Sequence, residues 1–246
     1  MMGKPHLHPL SRLLLGLLLL LAAACDTTIK TDEAVIADAV VNKKTPAPTD
    51  IFVVDTARSE ITWIGSKVTG RHNGVFRLKS GELYMSNGLL TGGNFVMDVA
   101  NTVSADKTID AESNQKLTTH LRSADFFDVE KYPTAAFEMV GIARLDSTGD
   151  KARDEEAKAP AALGDDLRIK NPTHRITGNL TIKGETKSVS FPARVTLDTL
   201  LRAKANFNID RTKWGLVYRS DKSLGNKTIY PEVNIGIDLV AKPEDN

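Results

Sequence analysis

The sequence predicts an all-β fold based on an antiparallel sheet, and three observations support this prediction. From Ile51 onward, apolar and polar residues alternate with a period of two, as in strands that bury one face. The links between most of these runs are short, whereas parallel strands need long crossovers. A polar, glycine-containing turn at residues 183–187 separates two runs and predicts a hairpin. These patterns fit either a sandwich or a closed barrel, and about eight strands would enclose one small ligand.

The first element, residues 1–24, is typical of an export signal. Lys4 and Arg12 supply positive charge, and the run from Leu13 to Ala24 is apolar. A helix of that length reaches about 18 Å, well short of the ~30 Å hydrocarbon core of a bilayer. A cleaved signal is therefore predicted rather than a membrane-spanning anchor.

Cys25 follows this run directly and is the only cysteine of the chain, which excludes an internal disulfide. The small residues before it resemble the lipobox of bacterial lipoproteins, in which the cysteine becomes the acylated N-terminus. The resemblance implies lipidation of Cys25 and a bacterial cell-envelope location, facing the periplasm or exposed on the surface. Ordinary cleavage after Ala24, leaving a free thiol, is the alternative. Residues 25–50 are predicted to be a flexible tether, with a short helix over Ala34–Val41.

The domain that follows, residues 51–241, contains the alternating runs. Two segments depart from the alternation. Asp110–Ser123 lacks glycine and proline and begins with acids, so it is predicted to be a single helix. Residues 146–172 are rich in charge, alanine and glycine, and are predicted to be an exposed insertion. The apolar rows predicted to share one face are Phe76 and Leu78; Phe95, Met97 and Val99; Phe137, Met139, Gly141, Ala143 and Leu145; Ile176, Gly178, Leu180 and Ile182; Val189, Phe191, Ala193, Val195 and Leu197; Leu201, Ala203, Ala205, Phe207 and Ile209; and Val233, Ile235, Ile237 and Leu239.

Composition and motif content exclude several classes of function. The formal charge of +1 in 246 residues provides no basic patch for nucleic acid. The histidines after the signal, His72, His120 and His174, lack the spacing of a metal site, and no nucleophile elbow is present. No catalytic residue, metal or cofactor is therefore predicted. The small residues in the apolar rows, such as Gly178 and Ala203, could leave an apolar void able to bind an apolar molecule.

Several stretches resemble the YceI-like family, in family order: residues 121–128, 131–137, 178–184 and 207–215. The resemblance implies an extended antiparallel, lipocalin-like β-barrel of about eight strands, with an elongated apolar cavity and one short helix near its mouth. It also implies a non-enzymatic role in binding polyisoprenoids or similar amphiphilic lipids. The family supplies no catalytic residues.

The chain is therefore predicted to be an exported, membrane-tethered lipid-binding protein whose partners are an amphiphilic lipid and, through Cys25, the membrane. One alternative is a structural or interaction module with a filled core. Another is an enzyme acting on bound lipid, which would need polar residues such as His72 or His174 to converge inside the barrel. The predicted ligand contacts, of which the last three could close or floor the cavity, are Phe76, Leu78, Phe95, Met97, Phe137, Leu180, Ile182, Phe191, Phe207, Phe126, Phe127 and Trp214.

Overall fold

The computed structural model describes residues 27–41, 47–145 and 163–244. Residues 1–24, Cys25 and most of the predicted insertion lie outside these ranges. The described residues form eleven strands, one α-helix and two short 3₁₀ helices at Arg211–Trp214 and Lys222–Lys227. The helix, α1, spans Ala111–Arg122. The strands are β1 (Asp32–Glu33), β2 (Val35–Asp38), β3 (Asp50–Val54), β4 (Glu60–Lys67), β5 (Gly70–Ser86), β6 (Leu89–Ser104), β7 (Thr134–Arg144), β8 (His174–Ile182), β9 (Glu185–Leu197), β10 (Leu201–Asp210) and β11 (Ile229–Pro243).

Strands β4 to β11 close into an eight-stranded antiparallel barrel. Each strand pairs with the next along the chain, and β11 pairs back onto β4. Strand β3 continues the wall beyond β4, because it pairs with the same two neighbours, β11 and β5. The hydrophobic core occupies the interior of this single closed sheet. The predicted all-β barrel is confirmed, and the sandwich is excluded.

The hairpin between β8 and β9 is confirmed, with a tighter turn than the sequence suggested. Only Lys183 and Gly184 connect the strands, with φ values of 50° and 80°. Positive φ at both central residues is the requirement of a type I′ turn, whose twist matches that of the flanking strands. Glu185–Lys187, predicted as part of the turn, instead begin β9.

A bulge in β7 corrects one of the predicted apolar rows. The pairing of β7 with β8 shifts between Met139 and Gly141, so Val140 is an extra residue. Because side chains alternate between faces, one extra residue exchanges the two faces of the strand beyond it. Ile142 therefore packs against the core, and Ala143 is exposed. The row predicted from Phe137 to Leu145 is wrong beyond Met139.

Helix α1 matches the predicted segment and lies at one end of the barrel. Asp110 caps its N-terminus, with the carboxylate accepting a 2.8 Å hydrogen bond from the Ser113 amide. At the other end, the Arg122 guanidinium donates to the carbonyl of Thr102 in β6 at 2.8 Å. The helix is thereby fixed against β6.

Residues 27–38, called here the N-terminal segment, complete the barrel wall. Strands β9 and β10 pair only where residues 193–197 face 201–205. Beyond that point they separate, and β1 pairs in parallel with β10 while β2 pairs antiparallel with β9. The predicted helix over Ala34–Val41 is wrong, and the predicted tether does not describe residues 32–38. Where β9 and β10 separate, their backbone N–H and C=O groups no longer pair with each other, and β1 and β2 supply the hydrogen-bond partners.

Buried amides hold the N-terminal segment on the outer face of the barrel. The Asn234 side-chain amide donates to the oxygens of Thr31 and Asn208, each at 3.0 Å, and of Asn206 at 2.8 Å. Asn208 in turn donates to the carbonyl of Ile29 at 2.8 Å. These polar side chains are buried and hydrogen-bonded, which is the condition for polar groups to be tolerated there.

The described end of the predicted insertion, residues 163–172, also packs on the N-terminal segment. The Lys30 amide donates to the Leu163 carbonyl at 2.7 Å. Gly164 has a φ of +103° and lies so close to Ile29 that a β-carbon there would be 2.5 Å from the Ile29 Cγ2. This part of the segment is therefore not wholly exposed; Gly164 and Pro172 are buried.

Candidate functional site

The barrel encloses an apolar cavity of about 170 Å³. All eight barrel strands contribute side chains to its lining, and α1 contributes Leu117 and Leu121. Apolar cavities of about this size, lined by aliphatic and aromatic side chains, stay dry and accept small apolar molecules. The interior of the barrel is therefore not fully filled by its own side chains.

Ten of the twelve predicted contact residues line this cavity. They are Phe76, Phe95, Met97, Phe126, Phe127, Phe137, Leu180, Ile182, Phe191 and Phe207. Leu78 is buried in the core but lies outside the lining, and so does Trp214. The structure brings the ten together around one space; that they contact a ligand stays a prediction.

Four phenylalanines, the aromatic row, form one side of the cavity. The rings of Phe95 and Phe137 stack with centroids 5.1 Å apart, and those of Phe191 and Phe207 with centroids 4.1 Å apart. Phe137 and Phe191 join the two pairs at 5.8 Å. Phe137 lies over Gly178, where a β-carbon would overlap its ring and come within 2.7 Å of the Glu138 carbonyl. Gly178, predicted to leave a void, thus makes room for an aromatic ring.

Phe126 and Phe127, which follow α1, cover part of the cavity. Phe127 packs edge-on against Phe76 with ring centroids 5.5 Å apart. Phe126 contacts the rings of His120 at 5.1 Å and Tyr218 at 5.4 Å. Both rings belong to the cavity lining, and that they close the cavity stays a prediction.

Trp214 does not line the cavity and instead links two parts of the barrel wall by a hydrogen bond. Its side chain is fully buried, and its indole Nε1 donates to the Leu180 carbonyl of β8 at 2.9 Å. The 3₁₀ turn that carries it ends at Gly215, whose φ is 72°. Trp214 thus fixes the segment after β10 against β8, directly behind a cavity-lining leucine.

Arg211 is a buried lining residue that the sequence analysis missed. Its guanidinium donates to the carbonyls of Leu216, Tyr218 at 2.9 Å and Ile229 at 3.0 Å, and its Nε to that of Tyr230. Burial lowers the pKa of Arg211, while the nearby acids Asp210 and Glu232 oppose that shift. The side chain therefore ties together the segments that cover this side of the cavity.

Three polar residues of the lining, Ser66, Lys67 and His72, lie where β4 meets β5 and are called here the polar rim. His72 Nδ1 lies 2.7 Å from Asp106 Oδ2, and the His72 side chain is 24% exposed. The cavity lining therefore reaches the surface here. Asn114 of α1 bonds the Asp106 amide at 3.1 Å, which places the helix beside this opening as predicted.

Asp106 is almost fully buried, with a side chain 1% exposed. Burial alone would raise its pKa, but hydrogen bonds from the Thr108 hydroxyl and amide and from His72 bring the pKa below its ordinary value. The Thr108 bonds are 2.6 and 2.8 Å long and both end on Oδ1. Asp106 is thus a fixed acceptor for the His72 ring.

The alternation of residues along β5 could have identified His72 as a lining residue from the sequence. It shares a strand face with Gly74 and Phe76, at steps of two residues along β5, and Phe76 was predicted to point inward. His174, by contrast, does not line the cavity. Of these two histidines, His72 is the one in the lining.

The described part of the chain contains neither a metal-ligand cluster nor a membrane-spanning helix. No group of three or more histidine, cysteine, aspartate or glutamate side chains comes together there as metal ligands would. The helices within the described ranges include none that is both long and apolar enough to cross a membrane.

Comparisons with known proteins agree with this geometry. The model of the YceI-like domain family matches residues 52–241. A UPF0312 protein of Azotobacter vinelandii is 34% identical over 108 residues, which are 42% of this chain and 44% of that protein. UPF0312 proteins of Pseudomonas putida are 36% identical over 107 residues, 41% of this chain and 43% of theirs. These alignments thus span less than half the length of the curated relatives.

Two solved structures share the fold. Burkholderia cenocepacia BcnA superposes with a TM-score of 0.55 at 21% identity, over 77% of this chain and 99% of its own. A polyisoprenoid binding domain from Saccharophagus degradans, implicated in plant cell wall breakdown, superposes with a TM-score of 0.51 at 13% identity, over 78% of this chain and 98% of its own. Because the family match extends over most of the chain and the same barrel is found, the chain belongs to the YceI-like family.

Proposed function

We propose that this chain is an exported, membrane-tethered, non-enzymatic protein that holds a polyisoprenoid or similar amphiphilic lipid in its barrel. The observation that carries the proposal is the apolar cavity of about 170 Å³, lined from all eight barrel strands. The polyisoprenoid-binding domain of Saccharophagus degradans has the same fold, which supports this ligand class.

The cavity suits an apolar chain energetically. Transfer of apolar surface from water contributes about 25 cal/mol per Å². The closed barrel and the stacked aromatic row are already ordered, so little conformational entropy is lost on binding. The cavity is similar in volume to engineered cavities that bind benzene, so a long polyprenyl chain must displace lining side chains or extend through the polar rim.

Lipidation at Cys25 would bring the rim to the membrane. Thr27 is bonded to β4 beside the rim: its hydroxyl donates to the Lys67 carbonyl at 2.7 Å, and its carbonyl accepts from Ser66 at 2.9 Å. Two residues span at most about 7 Å. An acyl chain on Cys25 would therefore hold this end of the barrel close to the bilayer, where a lipid could enter it directly.

The ligand proposal is tested by a displacement titration with the full chain, stripped of lipid. N-phenyl-1-naphthylamine, which fluoresces in apolar sites, serves as the probe and geranylgeraniol as the competitor. We expect saturable probe binding that the competitor reverses with one site per chain. Absence of saturable binding would contradict the lipid-holding function and favour the structural module.

The tether is tested separately in cells. Cys25→Ser should move the protein from the membrane fraction to the soluble fraction, because no acyl chain can then be attached. The wild-type mature protein should carry the mass of a diacyl or triacyl modification at Cys25. An unmodified thiol in the wild type, or an unchanged membrane fraction in the variant, would contradict the proposed anchor.

A further inference from the structure

A group of basic side chains lies at the end of the barrel that carries the polar rim. The group belongs to the turn at residues 67–71, between β4 and β5, and to the loop at residues 217–228, before β11. Called here the cationic face, it consists of Lys67, which is partly buried, and the exposed Arg71, Arg219, Lys222 and Lys227. Asp221 is the only acid in either stretch. The formal charge of the whole chain is only +1, so this concentration of positive charge is local.

The charge of the cationic face is not compensated by neighbouring acids. Other lysines of the barrel surface, Lys131, Lys187 and Lys204, lie 2.6–3.2 Å from carboxylates. Within the described ranges, no ion pair joins a residue of the cationic face to a carboxylate. The Asp221 carboxylate instead accepts a 2.8 Å hydrogen bond from the Ser223 amide. The face therefore presents net positive charge to its surroundings.

Exposed apolar side chains accompany these charges. Val68, Val217 and Leu224 are 40%, 59% and 42% exposed. The turn and the loop that carry them are bonded together, because the Val68 amide donates to the Thr228 carbonyl at 3.4 Å. The Thr228 hydroxyl donates to the Asp221 carbonyl at 3.0 Å and closes the loop on itself. Apolar side chains accompanied by lysine and arginine are typical of protein surfaces that lie in the headgroup region of a bilayer.

The proposed membrane anchor adjoins the same face. The Thr27 hydroxyl donates to the Lys67 carbonyl at 2.7 Å. Cys25 is two residues before Thr27, a separation of at most about 7 Å. Lys67 also belongs to the cavity lining. The anchor, the cationic face and the polar rim therefore share one end of the barrel.

We propose that the cationic face docks on the anionic phospholipid surface of the membrane that holds Cys25, with Val68, Val217 and Leu224 in the headgroup layer. This inference rests on the proposed tether and adds an orientation to it, in which the polar rim faces the bilayer. Each basic residue close to an anionic surface strengthens binding about fivefold, within a Debye length of about 8 Å. Five such residues give binding that is marginal and reversible alone, as for a single acyl chain. The face thus orients an anchored protein and does not replace the anchor.

The test measures membrane contact in the full chain, purified with its acylated N-terminus. Leu224→Cys, labelled with the environment-sensitive dye NBD, is reconstituted into vesicles of equal parts phosphatidylcholine and phosphatidylglycerol. We expect its emission to shift to shorter wavelength and to be quenched by nitroxide-labelled lipid. The same label on Leu89→Cys should be neither shifted nor quenched. Leu89 is 51% exposed and begins β6 at the opposite end of the barrel. Vesicles of phosphatidylcholine alone should give little quenching of either label.

Charge substitutions test the electrostatic part of the docking. Lys222→Gln combined with Lys227→Gln should lower the ratio of docked to undocked protein roughly 25-fold, as measured by quenching of the label at Leu224. The matched control, Arg58→Gln combined with Lys242→Gln, removes the same net charge from exposed positions where β4 begins and β11 ends. These positions lie at the opposite end of the two strands, so the control should leave the quenching unchanged.

Equal quenching at Leu89 and Leu224, or an equal loss in the two double variants, would overturn the proposed docking while leaving the tether intact. An emission shift that depends on protein density and not on phosphatidylglycerol would also overturn it, because a second copy of the chain would then cover the face. A purified chain whose mass shows no acyl group would instead refute the tether on which the inference rests. The mass and the quenching therefore distinguish the two failures.

Discussion

Ala135 offers a direct way to fill the cavity from within. Its side chain is 5% exposed, lies on β7 and belongs to the cavity lining. A larger residue in a well-packed core normally destabilises the fold by about 1–3 kcal/mol. Because Ala135 borders empty space, we expect Ala135→Leu to stabilise the protein instead.

The expected gain follows from the cavity volume. Empty cavity volume costs about 24 cal/mol per Å³, so 170 Å³ corresponds to a ceiling of about 4 kcal/mol. Leucine adds three carbons, each contributing about 0.8 kcal/mol when buried, and loses some rotamer entropy. The free energy of unfolding should therefore rise by about 1–2 kcal/mol. The affinity for an apolar chain should fall roughly ten- to fiftyfold, because the new side chain takes its place.

Urea denaturation and probe titration measure the two effects on the same preparation. Ala205→Leu is the matched control, because Ala205 is also buried in the barrel but does not line the cavity. The control should lose about 1–3 kcal/mol of stability. If Ala135→Leu is destabilised as much as the control and binds the probe normally, the barrel interior has no usable space and the reasoning fails.

Three further predictions concern stability. Asn234→Leu leaves the buried side-chain amide of Asn206 unpaired and removes one of the donors to Asn208 Oδ1, so the free energy of unfolding should fall by about 2–4 kcal/mol. Amide exchange in β1 and β2 should accelerate, and unchanged exchange there would contradict the clamping role. Trp214→Phe leaves the Leu180 carbonyl without its indole donor and should cost about 1–3 kcal/mol in urea denaturation, whereas a neutral change would refute the bracing role. Burial, with Arg144 nearby, lowers the pKa of His174 in the folded protein below its ordinary 6.5. The stability that depends on a neutral His174 is therefore fully present above pH 6.5 and is lost as the pH falls through the lowered pKa of the folded state. His174→Gln should flatten that part of the stability curve, and an equally steep loss in the variant would contradict this origin.

The strands and the helix were predictable because their signals are local. Alternation in β10 depends only on consecutive residues, and so does the capping of α1 by Asp110. The barrel closure came from resemblance to a family, since alternation alone is equally compatible with a sandwich. Local pattern thus identifies elements, and it does not determine how the sheet closes.

Two features depended on contacts distant in sequence. The extra residue at Val140 has no composition signal, and its effect is seen only in the pairing of β7 with β8. The N-terminal segment forms strands because β9 and β10 separate far along the chain, where Asp32 pairs beside Phe207. Residues 32–38 taken alone carry no sequence signal that β9 and β10 separate.

The candidate site was predictable where it depended on strand faces. Phenylalanines at inward positions, such as Phe95 and Phe191, line the cavity as expected. Trp214 belongs to a recognisable motif, but its indole hydrogen bond places it behind the wall. The partnership of His72 with Asp106 joins residues 34 positions apart, and only the fold brings them together.

The most direct measurement of the central claim is the mass spectrum of an organic extract from the full chain, purified from its native host. A chain that holds a lipid in the barrel should release one predominant polyprenyl or similar long-chain compound, close to equimolar with protein. The Ala135→Leu protein, purified in parallel, should release much less. An extract from the wild type with no such compound beyond the level of Ala135→Leu would contradict the lipid-holding function.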